Sequence, residues 1–246
     1  MEPQQQAPPP RPAPDQRRSA VLVVLAVAAV WLLVERQVVT PRTVLILGVL
    51  FVSVILHEVS HGAVALRFGD DTAAKAGRLT LNPARHVDPF GTIVLPAILV
   101  LANAPPFGWA KPVPVNPSKM RDPRNHSLLV SLAGPAVNVV LALGAALVLR
   151  SLLRSGGPGG DVPVAYEVLF YVGVVNVVLA VFNLLPLPPL DGSAVVERLL
   201  PARWWPGYLR IRQFSLPVLL VLVLLLPGAL SRVFDPALEG WYRLLR

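Results

Sequence analysis

Residues 44–66 form an apolar run long enough to cross the hydrocarbon core of a bilayer, which takes about 20 residues of helix, and its last turns carry His57-Glu58-Val59-Ser60-His61. Two imidazoles and a carboxylate have no packing role there that leucine would not fill better, and ionisable groups at membrane depth are costly unless they bind something. On a helix, His57 and His61 project from one face a turn apart, where both can hold one metal ion. Glu58 stands beside the first of them, the place that the HExxH pattern gives to a general base. The alternative is a chance match in a hydrophobic helix, and the apolar surroundings weigh against it.

The rest of the chain repeats the apolar theme. Of its 246 residues 54% are hydrophobic and 15% charged, and the mean hydropathy is +0.60, more apolar surface than one soluble core can hide. Residues 20–34, 127–149, 162–185 and 214–230 are each candidates to cross, the last bent or frayed by Pro217 and Pro227. The run 20–34 ends in Glu35-Arg36-Gln37 with no small-residue cleavage site, which favours an uncleaved first helix over a signal peptide. Residues 90–102 are too short to span and contain Gly91 and Pro96, so they suit a re-entrant or tilted segment beside the histidine pair. Residues 67–88 read as a polar loop able to form a short hairpin, and 104–126, with six prolines, as an irregular surface loop. The expected architecture is an all-α polytopic membrane protein of five to six transmembrane helices, with a re-entrant segment or short hairpin near the site. Residues 1–18, proline-rich and poor in apolar groups, are expected to be a disordered tail, and 19–246 one membrane-embedded domain with its core at 44–200.

The net charge of +8 could suggest nucleic acid, but the basic residues lie between apolar segments and form no long stripe or aromatic-interleaved patch. Lipid headgroups are the simpler partner, and no nucleic acid is expected. Placing the N-terminal tail in the cytoplasm puts the 67–88, 103–126 and 191–213 loops on the same side, which then collects fifteen of the twenty-two Lys and Arg. That bias predicts a multi-pass protein of the cell membrane with its N-terminus and histidine motif towards the cytoplasm. With no cysteine in the chain, thiolate metal sites and thiol nucleophiles are excluded, and any metal must be held by imidazole, carboxylate or water.

A catalytic zinc takes three protein ligands and keeps one position open. Asp191 is the best third candidate, because it closes the run NLLPLPPLDG at 183–192, where prolines forbid regular helix and can aim one carboxylate. An ordinary Pro-Leu-Asp-Gly turn at a membrane boundary is the other reading. Gly134, Pro135 and Asn138 begin an apolar stretch in which glycine permits close helix approach and the amide is costly without a partner; substrate contact and interhelical packing are both open to Asn138, as to Asn176 and Asn183. Asn183 adjoins the Asp191 run and is the better of these two for aligning substrate or site. His86 and Asp88 precede the re-entrant candidate, and His86 either helps an oxyanion or faces water as a plain loop residue.

HEVSH at 57–61 together with NLLPLPPLDG at 183–192 resembles the site-2 protease family of intramembrane zinc metalloproteases, peptidase family M50. SLAGPAVN at 131–138 is similar to its Gly-Pro motif, and LNPARHVDPFGT at 81–92 and GWAKPVPVNP at 108–117 to stretches of bacterial members. The resemblance implies zinc as cofactor, His57, His61 and Asp191 as ligands, and Glu58 as base. Beside these, Gly134, Pro135 and Gly192 are read as structural motif residues, and His86, Asn138 and Asn183 as candidates for substrate or transition-state contact. The implied reaction is hydrolysis of a peptide bond in or near the transmembrane segment of a single-span membrane protein, with regulated release of a membrane-held factor. Length leaves no room for a PDZ or CBS module, so substrate choice is expected to rest on the membrane domain or a separate adaptor. The alternatives are an inactive zinc-binding scaffold that holds a partner helix, against which Glu58 argues, and a transporter, for which paired repeats are missing.

Overall fold

Proline is the first residue of the helices that start at Pro41, Pro123 and Pro227, where its missing N–H has no partner to lose. The computed structural model describes residues 40–95, 98–99, 109–157 and 162–246. Helix α1, Pro41–Arg67, starts after Thr40, whose hydroxyl accepts a hydrogen bond from the Thr43 amide at 3.1 Å, a helix cap supplied by a side chain. By contact the chain divides into two units, Met1–Leu45 and Ile46–Arg246; the site lies wholly within the second.

After α1 comes a polar connection made of tight turns. It holds the single-turn helix α2, Thr72–Lys75, a 3-10 turn at Pro83–Arg85, a π-helical turn at Pro89–Val94 and another 3-10 turn at Pro117–Lys119. Asn82, Asp88 and Asn116 cap the last three, each accepting from backbone amides two or three residues on. The expected hairpin is not formed: the described residues of this connection contain no strand. The Asx side chains take the amides that a ladder would need, and the prolines supply none. The expected re-entrant segment falls partly outside the described residues, at 96–97 and 100–102, and the expected tail 1–18 and first span 20–34 fall wholly outside them.

Helix α3, Pro123–Arg154, is capped by Asp122, which accepts from the Asn125 amide. It packs along α4, Val164–Asn183. Short helices α5, Ser193–Leu199, and α6, Trp205–Arg212, lead to α7, Ser215–Leu225, and α8, Pro227–Leu244. The apolar stretch around 214–230 is broken at Leu226–Pro227, and segments Pro217–Val223 and Gly228–Leu244 meet at 73°. The α8 side chain Trp241 enters between α3 and α4: its indole N–H donates to the Ala142 carbonyl at 2.8 Å, and it lies against Gly173, where any side chain would collide with it. Ala142, Ala146, Leu149 and Trp241 form the core there.

Helices α1, α3 and α4 are long and apolar enough to cross a membrane, and the bent α7–α8 pair makes a fourth candidate. Only 17% of the apolar window of α1 and 22% of that of α4 is buried within the protein, and Val140, Leu147 and Val164 are about 70% exposed. Water would not tolerate apolar faces of that extent, whereas lipid does. Among the described residues the protein is therefore an all-α polytopic membrane protein of three to four spans.

Candidate metal centre

The two histidines of α1 meet α3 at Gly134. A methyl group at that position would stand 2.5 Å from His57 Cε1 and from His61 Nε2, so only glycine lets α3 cross over both rings. Pro135 follows inside the same helix. The third group comes from the turn after α4. The chain leaves α4 at Asn183, passes the cis Pro188–Pro189 bond, and is drawn back where the Gly192 amide donates to the Asn183 carbonyl at 2.6 Å. A side chain at 192 would strike the Leu184 and Leu185 carbonyls. This closed turn aims Asp191 at the imidazoles, with His57 Nε2 at 3.1 Å and His61 Nε2 at 3.4 Å from Asp191 Oδ2.

Hydrogen bonding on the far side of each ring sets where its proton sits. His61 Nδ1 lies 2.7 Å from the Val130 carbonyl, which can only accept, so Nδ1 donates and the neutral ring has its lone pair on Nε2. His57 Nδ1 lies 2.6 Å from Asn138 Oδ1; Asn138 Nδ2 donates to Asn176 Oδ1, and Asn176 Nδ2 donates to Ser53 Oγ. That orientation leaves Asn138 Oδ1 to accept, so the neutral His57 ring has its lone pair on Nε2 as well. The two Nε2 atoms are 3.1 Å apart, and Asp191 Oδ2 is buried with no donor to it. With both rings neutral, three lone pairs converge with no hydrogen between them, an arrangement that repels itself unless a cation sits at its centre. Ligands about 2.0–2.2 Å from a tetrahedral zinc lie about 3.3–3.5 Å apart, close to the separations seen, so the donor set fits zinc. Among the described residues His57, His61 and Asp191 are the one group of three such donors within reach of a single ion.

Glu58 is beside this cluster and accepts a 2.8 Å hydrogen bond at Oε2 from the Val113 amide. Of the other residues singled out in the sequence, Asn138 is fully buried as the support of His57. The Asn183 side chain turns back to the Leu179 carbonyl in its own helix, and its main chain holds Gly192. His86 is fully buried and is not one of the three clustered donors. Its Nε2 donates to the Thr80 carbonyl at 2.8 Å, and its own carbonyl accepts from the Lys111 amide. Ser53, the Val130 carbonyl and Val113 were missed by sequence reasoning. Ser53 alone carried a signal, standing one helical turn before His57.

The family model of peptidase family M50 matches residues 160–226, the segment that contains Asn176, Asn183 and Asp191. The chain is 46% identical over 157 residues to "Putative zinc metalloprotease YwhC" of Bacillus subtilis (strain 168), covering 62% of this chain and 67% of that protein. It is 32% identical over 200 residues to "Putative zinc metalloprotease Rip2" of Mycolicibacterium smegmatis, covering 78% and 70%, and 33% identical over 199 residues to the protein of that name in Mycobacterium tuberculosis (strain H37Rv), covering 81% and 70%. No solved structure matches. With more than two thirds of such relatives covered at this identity, and three zinc-type donors converging beside a glutamate, the chain belongs to peptidase family M50.

Proposed function

We propose that this protein is an intramembrane zinc metalloendopeptidase of the site-2 protease type, which hydrolyses a peptide bond in or near the membrane-spanning segment of a single-span protein. The observation that carries the reading is the convergence of Asp191 with His57 and His61 beside Glu58, the last three on a helix long enough to cross the membrane. At 1.5 Å per residue His61 and His57 lie about 9 and 15 Å inside the Arg67 end of α1, so the bond attacked is within the bilayer and nearer one face.

His57, His61 and Asp191 would hold the zinc, which when bound would supply Lewis acidity towards water and the scissile carbonyl. Glu58 takes the proton of the attacking water and returns it to the departing amine nitrogen, so that one carboxylate serves as base and then acid. Asn138 and the Val130 carbonyl keep both imidazole protons on Nδ1 and the rings fixed. A helical substrate has its carbonyls engaged within its own helix and must unwind before attack. Residues 67–102 are the segment proposed to receive it. The positive charge of the loops supports a cytoplasmic site and an N-terminus on the same side, and substrate choice is assigned to the membrane domain or a separate adaptor.

The test is zinc content and cleavage of a panel of single-span membrane proteins by purified wild type and Glu58→Gln. The expected result is about one zinc per chain in both, with cleavage by the wild type alone. Zinc in both with cleavage by neither would turn the assignment to a zinc-binding scaffold.

A further inference from the structure

Arg78 is 94% enclosed, at 6% relative exposure, and has no carboxylate against it among the described residues. Its Nη2 donates instead to the carbonyls of Lys111 and Pro112, and its Nε has no partner. Burying a guanidinium is costly unless its donors are used, so an apolar residue would serve better if filling space were its only task. The carbonyls it holds belong to residues 111–116, an extended strap tied at one end by the Lys111 amide to the His86 carbonyl and at the other by the Asn116 amide to Asp70 Oδ2. Pro112 and Pro114 have no N–H, so Val113 has the one amide donor of 112–114, and it is directed to Glu58 Oε2. Gly62 of α1 leaves room for this approach: a side chain there would meet Val113 at 2.9 Å. Glu58 Oε1 has no partner among the described residues.

We propose that Arg78 is a positioning residue for the hydrolysis: it fixes the strap so that the Val113 amide clamps one oxygen of Glu58 and leaves the other to the reacting water. This rests on Glu58 as the base. The terminal torsion of a glutamate is broad, with no strongly preferred plane for its oxygens. One well-placed donor from a rigid strap selects the orientation in advance and spares the ordering cost at reaction.

The experiment compares wild type, Arg78→Gln, Arg78→Lys, Val113→Pro and the Gln/Pro double variant. Its probe is a synthetic single-span peptide with a helix-breaking Asn-Pro pair near one end, in detergent micelles, and zinc content and amide hydrogen exchange over 111–116 are followed in parallel. The expected result for Arg78→Gln is full zinc, faster exchange at Val113, and kcat lower by about 10- to 100-fold with KM within about twofold. Arg78→Lys recovers part of the loss. The double variant is no slower than Val113→Pro, because both changes remove one clamp. Additive losses, unchanged kcat despite faster exchange, exchange at Val113 as slow as in wild type, or loss of zinc from Arg78→Gln would each overturn the proposal. Glu58→Gln run on the same probe separates the two readings. If it cleaves like wild type the base assignment fails, while exchange at Val113 still reports whether Arg78 holds the strap.

Discussion

A histidine ligates a metal only through a nitrogen without a proton, so the partner of its other nitrogen sets its competence. Here those partners are a main-chain carbonyl for His61 and an amide oxygen for His57, and the amide is itself held by Asn176 and Ser53. The four side chains His57, Asn138, Asn176 and Ser53 are all buried, and such a chain works as a unit because each member satisfies the next. Asn138→Leu removes the acceptor for His57 Nδ1 and strands the Asn176 amide oxygen. It is expected to weaken zinc binding by about 10- to 100-fold, read by competition with a chromophoric chelator. Affinity within twofold of wild type would show that the relay only packs.

At the scale of the elements, the connection between α1 and α3 depends on Asp70 and Asp71. Burial pushes the Asp70 carboxyl up, but the Thr72 hydroxyl and the Asn116 and Thr72 amides outweigh it, and its pKa is lowered overall. Hydrogen bonds from Lys119 and Lys75 bring exposed Asp71 down to about 2. A carboxyl whose folded pKa lies below its unfolded value of about 3.9 contributes its full stabilisation above that value and loses it as pH falls through the folded one. Exchange at the Asn116 and Thr72 amides is therefore expected to gain an acid-induced opening below about pH 4. In Asp70→Asn the opening is expected already at neutral pH and without that dependence. Because Asn116 ends the strap whose middle contacts Glu58, opening there reaches the site.

Across the whole molecule, folding and metal binding are expected to be coupled. Two segments distant in sequence, α1 and the turn after α4, bring their donors to one point, and without a cation the lone pairs of neutral rings and carboxylate oppose one another. Chelation is expected to lower the midpoint of thermal unfolding in detergent by an amount that grows with the wild-type zinc concentration used for comparison, as mass action requires. Helix content by circular dichroism should be unchanged below the transition, since α3 and α4 are held by Trp241 and its neighbours rather than by the metal. A midpoint indifferent to zinc would place the cluster outside the energetics of the fold.

What the sequence determined by itself is what short-range chemistry can encode. Apolar runs of spanning length announce α1, α3 and α4, prolines mark helix starts and the break at 226–227, and a spacing of four puts His57 and His61 on one face. Asp191 stood out because prolines and a glycine surround it. Tertiary structure decided the rest, because the deciding contacts join segments far apart in the chain. His61 meets a carbonyl 69 residues away, His57 an amide 81 away and Glu58 a backbone N–H 55 away. Every residue has a carbonyl and nearly every one an N–H, so no residue type advertises Val130 or Val113; only packing selects which backbone group faces the site. His86 is another such case: its sequence position gave no sign that it is fully buried and ties Thr80 to Lys111. A side chain states what it can bind, and the path of the backbone determines what comes within reach.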